Sequence, residues 1–149
     1  MDAPPLYREP ACASRIRLIA QSHHRLMGKP LAEVGGDAVA ALWSAPFALV
    51  AHGDETDPLF FFGNRVALER FGYSVEEFIG LPSRLSAEAP LRDERRRMLE
   101  RVAERGYIDD YAGTRITRSG ERFEISRALV WNLVDEAGRM HGQAARFAV

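Results

Sequence analysis

VWNLVDEAGRMHGQAARF, residues Val130–Phe147, reads as two apolar-rich strands joined by the polar turn Asp135-Glu136-Ala137-Gly138. In its first strand the period of two puts Leu129, Trp131 and Leu133 on one side and Ala128, Val130 and Val134 on the other. Neither side suits water. Such a strand belongs in a sheet covered on both faces, with a core or cavity on one side and a second layer on the other.

Working outward, Tyr107 to Thr117 and Arg122 to Val134 form a second hairpin through Ser119-Gly120, and Met140 to Val149 closes the chain. Upstream, Asp93 to Arg105 has Leu91, Met98, Leu99 and Val102 as an apolar helical stripe, with Gly106 as its stop. Shorter helices are predicted over Asn64 to Phe71 and Val75 to Gly80, the latter opened by the capping box Ser74 and Glu77. FALVAH (Phe47 to His52) and PLFFF (Pro58 to Phe62) are two short strands around the polar loop Gly53 to Asp57. Before them, Ile16, Ile19, Ala20, His23 and Met27 recur at helical spacing behind Ser14, and Gly28 with Pro30 ends the run. A short helix is expected from Asp37 through Trp43. Residues 1 to 12, with Pro4, Pro5 and Pro10, read as a loose lead-in.

At 149 residues and 46% hydrophobic content, one domain can bury an ordinary core. A net charge of -1 gives no general attraction to nucleic acid or an anionic membrane, and neither is expected as a partner. Cys12 is the single cysteine, which excludes an internal disulfide, and no apolar run is long enough to span a bilayer. The cytoplasm is therefore the expected location.

The middle segment GNRVALERFGYSVEEFIGLPSR (Gly63 to Arg84), placed after two strands and before three, resembles the PAS fold. More closely, the chain resembles the MEKHLA family, a PAS-like domain found in plant class III homeodomain-leucine-zipper regulators and as stand-alone bacterial proteins. The resemblance is carried by APF (Ala45 to Phe47), GNRVAL (Gly63 to Leu68), LPSR (Leu81 to Arg84), the GERF step (Gly120 to Phe123), VWNL and GQAARF. It covers roughly Ser44 to Val149. The implied division is an N-terminal extension with an amphipathic helix over 1–43 and a MEKHLA/PAS-like domain over 44–149. The implied fold is α+β, a five-stranded antiparallel sheet with short helices on one face and a small cavity between them. No homeodomain or zipper is present to carry the plant DNA-binding role.

What that cavity holds has to be read from its residues. The helix Asp93 to Arg105 lacks the histidine of haem-binding PAS domains, and Leu81-Pro82-Ser83-Arg84-Leu85 stands where flavin photosensors place a reactive cysteine. Haem and a cysteinyl-flavin adduct are argued against, whereas noncovalent flavin or a metabolite stays open. The four histidines have no zinc-ligand spacing. Polar residues set in apolar surroundings are the candidates for ligand contact: Tyr111, Arg115, Asn132 and Gln143 in the sheet, with Asn64, Arg84 and Trp131. Each has a structural alternative; Asn64 also reads as a helix cap, Arg84 as a loop tie and Trp131 as core. Arg95-Arg96-Arg97, interleaved with Asp93, Glu94, Glu100 and Glu104, reads as a salt-bridged solvent face with Asp93–Arg97 and Arg96–Glu100 pairs.

These features point to a stand-alone sensory or small-ligand-binding module acting through a signalling partner or as a homodimer. The competing reading is a small α+β cavity enzyme of isomerase type. In it Asp109 and Tyr111, on one face of a regularly alternating strand, would move a proton beside a carbonyl. An exposed strand-edge charge is the simpler account of Asp109.

Overall fold

A computed structural model describes residues 2–33, 35–87 and 92–149. In chain order the elements are α1 (Pro5–Arg8), α2 (Pro10–Met27), α3 (Ala38–Trp43), β1 (Ala48–His52), β2 (Phe60–Gly63), α4 (Arg65–Phe71), α5 (Val75–Phe78), a 3-10 turn (Ser83–Ser86), α6 (Arg92–Arg105), β3 (Tyr107–Ile116), β4 (Arg122–Val134) and β5 (Met140–Phe147). The strands form one five-stranded antiparallel sheet in the order β2-β1-β5-β4-β3. The C-terminal hairpin thus lies at the sheet's centre, which is why both faces of β4 are apolar. Leu91 of the expected α6 stripe lies outside the described residues.

The inner face carries Val50, Ala145 and Val130, which pair across β1, β5 and β4, and is covered by α4, α5 and α6. Asn64 caps α4 through Oδ1, and Ser74 with Glu77 caps α5 reciprocally, as their spacing predicts. The outer face carries Ala51, Ala144 and Trp131, and α2 crosses it. Trp131 Nε1 donates to the Ile19 carbonyl, the Val134 amide donates to Ser22 Oγ, and the His23 ring meets Trp131 edge-on. Ile16, Ile19 and Trp131 have no exposed surface. Full burial of such side chains is worth about 2 to 3 kcal/mol each before chain entropy is subtracted.

Two expectations at the N-terminus are overturned. Residues 5–8 form a helical turn, and Tyr7 is wholly buried against Trp43 and Phe62, so this part of the lead-in is an ordered cover of the sheet. Helix α2 begins at Pro10, whose fixed φ suits a first helical turn, and Ser14 lies inside it rather than capping it. Buried Leu18 and Ser22 widen its covered face beyond the expected stripe.

β3 and β4 do not alternate regularly. Ile108 pairs with Val130, Tyr111 with Ala128, and Gly113 with Ile125, so β3 has an extra residue at Asp109-Asp110 and β4 has one at Ser126-Arg127. Arg127 is the only non-glycine residue with positive φ among the described residues, at 52°. In chain order the β3 bulge moves the inward set from even to odd numbers, and the β4 bulge moves it from odd to even. Ile108, Tyr111 and Arg115 are consequently buried on β3, and Val130, Ala128, Ile125 and Phe123 on β4. Asp109 and Asp110 are exposed. The expected shared face of Asp109 and Tyr111 does not exist.

Candidate functional site

Between the inner face and α6 lies a cavity of about 50 Å³, room for about three to five water molecules at about 10 to 15 Å³ each. Val50, Phe60, Phe71, Met98, Ile125 and Phe147 make most of its wall apolar. Its polar lining is His52, Ser86, Arg95, Tyr111, Arg115 and Gln143. Outside it, a surface groove of about 460 Å³ runs between the β1–β2 loop and α6. His52, Arg95, Leu99 and Gln143 line both spaces and form the neck between them.

The fold brings three of the seven sequence candidates to the cavity. Tyr111 and Arg115 stand on one face of β3, and Arg115 Nη2 donates to the Tyr111 hydroxyl at 2.5 Å while Nη1 donates to the Thr114 carbonyl at 3.0 Å. Gly113 makes this possible, since a Cβ there would lie 2.5 Å from the Tyr111 hydroxyl. Gln143 Nε2 donates to the Leu99 carbonyl and to Asn132 Oδ1, both at 3.1 Å. Asn132 Nδ2 in turn donates to the Val102 carbonyl at 3.0 Å. This amide pair thereby fastens the end of α6 to β4 and β5, and Asn132 reaches the neck only through Gln143.

The other three are placed elsewhere. Asn64 Oδ1 accepts from the Leu49 and Ala67 amides, and its Nδ2 donates to the Leu42 and Phe47 carbonyls, so its amide is consumed in joining α3, β1 and α4. Arg84 is half-exposed in the outer groove, paired with Asp57 at 3.2 Å. Trp131 faces α2 on the far side of the sheet.

The residue that sequence reasoning missed is Arg95. Instead of joining a solvent face it is 8% exposed on α6, in line with buried Met98 and Val102. Its spacing to those residues, i to i+3 and i+7, was the available signal. Among the described residues it has no hydrogen bond or ion pair. The exposed pair on α6 is Asp93–Arg96 at 2.9 Å, in place of the expected Asp93–Arg97 and Arg96–Glu100 pairs. Burial, and next the charge of Arg115, bring the Arg95 guanidinium down to about 10, which still leaves it protonated at neutral pH. At the neck, burial holds His52 down to about 4, so its ring is neutral. Its Nδ1 lies 2.9 Å from the Gly53 carbonyl, and among the described residues its buried Nε2 has no hydrogen-bond partner. With Nδ1 protonated for that bond, Nε2 is a bare acceptor.

The MEKHLA domain model matches residues 13–149, a span that starts inside α2. The chain belongs to the MEKHLA family. Among solved structures, this MEKHLA domain is similar to a PAS domain from Colwellia psychrerythraea, with a TM-score of 0.64 and 16% identity over 77% of this chain and 95% of that one. An RNA-binding light-oxygen-voltage receptor is similar with a TM-score of 0.65 and 16% identity, over 76% of this chain and 32% of that one. The light-state dimer of the fungal blue-light photoreceptor Vivid has a TM-score of 0.55 and 15% identity, over 71% of this chain and 79% of that one. At these identities the likeness establishes a PAS-like fold. No curated protein sequence matches the chain.

Noncovalent flavin, left open by the sequence, does not fit the MEKHLA cavity. The space of about 50 Å³ is far below the roughly 300 to 1,000 Å³ of pockets that enclose such ligands. The only cysteine, Cys12, lies in α2 across the sheet. Among the described residues no helix is long and apolar enough to cross a membrane, and no group of three His, Cys, Asp or Glu side chains is arranged for a metal ion.

Proposed function

We propose that this MEKHLA domain is a sensory module that takes a small ligand into the cavity between sheet and α6 and passes the change to a protein partner or through a homodimer. The observation carrying this is the neck, where an enclosed apolar cavity opens to a surface groove through polar residues of β1, β5 and α6. A core filled for stability alone has no use for a buried acceptor without a partner at such a place. Tyr111, Arg115 and Gln143 are the ligand contacts in this reading, with Asn132 as the support of Gln143. The cover formed by residues 1–43 leaves the inner face to the ligand. The Vivid structure, a dimer by its description, is the precedent for output by self-association. The exposed position of Asp109 takes the proton-shuttling carboxylate away from the enzyme reading.

Native mass spectrometry of protein purified under mild conditions, followed by thermal shift with the extracted small molecules, tests the module. Ala145→Leu is the control, since Ala145 lines the cavity and a larger side chain occupies it. Expected is a ligand-dependent rise in Tm in the parent and none in Ala145→Leu, with light scattering reporting any change of mass. A folded parent whose Tm responds to nothing that Ala145→Leu ignores would overturn the reading.

A further inference from the structure

Two arginine side chains, 8% and 7% exposed, line the same small cavity from α6 and from β3. Among the described residues its lining contains no aspartate or glutamate. Buried cations are tolerated when an opposite charge meets them, and two like charges in one apolar space repel. Arg115 has partial compensation from Tyr111 and Thr114, which are neutral. Arg95 has no hydrogen bond or ion pair among the described residues, and the weakest influence on it, the nearby Tyr111, is its one favourable electrostatic contact there. Neutral His52 adds no charge, so the two guanidiniums set the potential of the space. The Tyr111 hydroxyl, having accepted a hydrogen bond from Arg115, has its own proton left to donate.

We infer that the cavity is a binding site for a short-chain organic monocarboxylate, whose carboxylate is held by Arg95, Arg115 and the Tyr111 hydroxyl and whose tail packs on Phe60, Phe71, Ile125 and Phe147. This rests on the proposed ligand-binding function and names its chemistry. A planar carboxylate matches the guanidinium fork and needs few further donors. A phosphate or sulfate has more oxygens to satisfy, and a largely apolar wall leaves them unmet. The tail is limited by size: a space for about three to five waters holds a chain of about three carbons. The entry path is the neck, where Arg95 touches both groove and cavity.

The test uses the full chain titrated with sodium propionate, propionamide, propylamine and inorganic phosphate at constant ionic strength, by calorimetry and thermal shift. Propionate is expected to raise Tm and saturate below about 20 mM, with the three others at least tenfold weaker. Arg95→Met removes the unpaired cation without opening a void and should weaken propionate at least tenfold. Gly113→Ala, whose Cβ would displace the end of the Tyr111 side chain, should weaken it severalfold. Equal binding of propionate and propionamide would overturn the carboxylate assignment while leaving a ligand-binding cavity standing. Phosphate binding more tightly than propionate would overturn it in favour of an inorganic anion. No response to propionate, or a propionate response that survives in Arg95→Met, would overturn it as well. Loss of the cavity's response to every small molecule is the separate failure of the underlying reading.

Discussion

The Tyr7 phenol oxygen lies 2.7 Å from the Gly63 carbonyl oxygen and 3.0 Å from the Gly63 amide nitrogen, so one hydroxyl satisfies both backbone groups at the free edge of β2. Tyr7→Phe keeps the ring between Trp43 and Phe62 but leaves two buried backbone groups unpaired. The expected loss is about 2 kcal/mol, because an orphaned buried group forfeits its hydration. Urea unfolding checks this, and a midpoint equal to the parent's would count against the role of the hydroxyl.

Removing residues 1–28 uncovers the Trp131 and Leu133 side of β4, across which α2 packs. The truncated protein should aggregate or change mass by light scattering. Equal solubility and an unchanged mass would show that the outer face has another cover.

Acid should weaken the fold before its carboxylates titrate. The His52 ring is shifted from 6.5 to about 4, chiefly by burial, then upward by its Gly53 bond, downward by Arg95 and upward by Glu55. A depressed histidine binds fewer protons folded than unfolded, so its contribution is complete above the unfolded value and declines as pH falls toward the folded one. Between pH 7 and pH 5 the loss is about 2 kcal/mol. His52→Gln should flatten that part of the stability profile, and a slope identical to the parent's would rule His52 out as its source.

Three neighbouring arginine substitutions should differ in sign. Arg95→Met removes a buried charge without a described partner and should raise Tm, with each kcal/mol worth roughly 3 °C at this chain length. Arg115→Met breaks two hydrogen bonds and the placement of its cation 5.1 Å from the Tyr111 ring centre, and should lower Tm. Arg96→Met, exposed and paired among the described residues only with Asp93, should leave it unchanged. A common direction for all three would contradict the charge arrangement of the cavity.

Gly142 has a φ of 137°, and a Cβ there would sit 2.0 Å from the His52 carbonyl oxygen. Gly142→Ala must therefore separate β5 from β1 at the neck. The expected cost is about 3 kcal/mol or more, from a backbone clash with backbone strain added. An alanine variant of parental stability would place β5 differently.

The sheet, its hairpins and the helices capped by Asn64 and Ser74 were legible because period-two runs, turn residues and caps act locally. Tyr111, Arg115 and Gln143 were legible as polar side chains among apolar ones. Tyr7 was hidden because three prolines made its surroundings look unstructured, while its partner lies 56 residues away. Arg95 was hidden by the charges on either side, which read as one solvated helix face although one position in it points inward. The faces of β3 and β4 were unreadable for a different reason: a bulge changes which residues point inward without leaving any mark in residue type.

The bulge at Asp109-Asp110 and the one at Ser126-Arg127 cancel, since the pairs on either side of them fall back into a common register. Chain length there, more than residue identity, determines which way Tyr111 and Arg115 point. Exchanging both aspartates for other polar residues leaves the cavity wall in phase. Deleting one of them would turn the tyrosine and the arginine out into water, or force the hairpin to slip by one residue along its whole length. The positions most tolerant of substitution in β3 are thus the least tolerant of a lost codon.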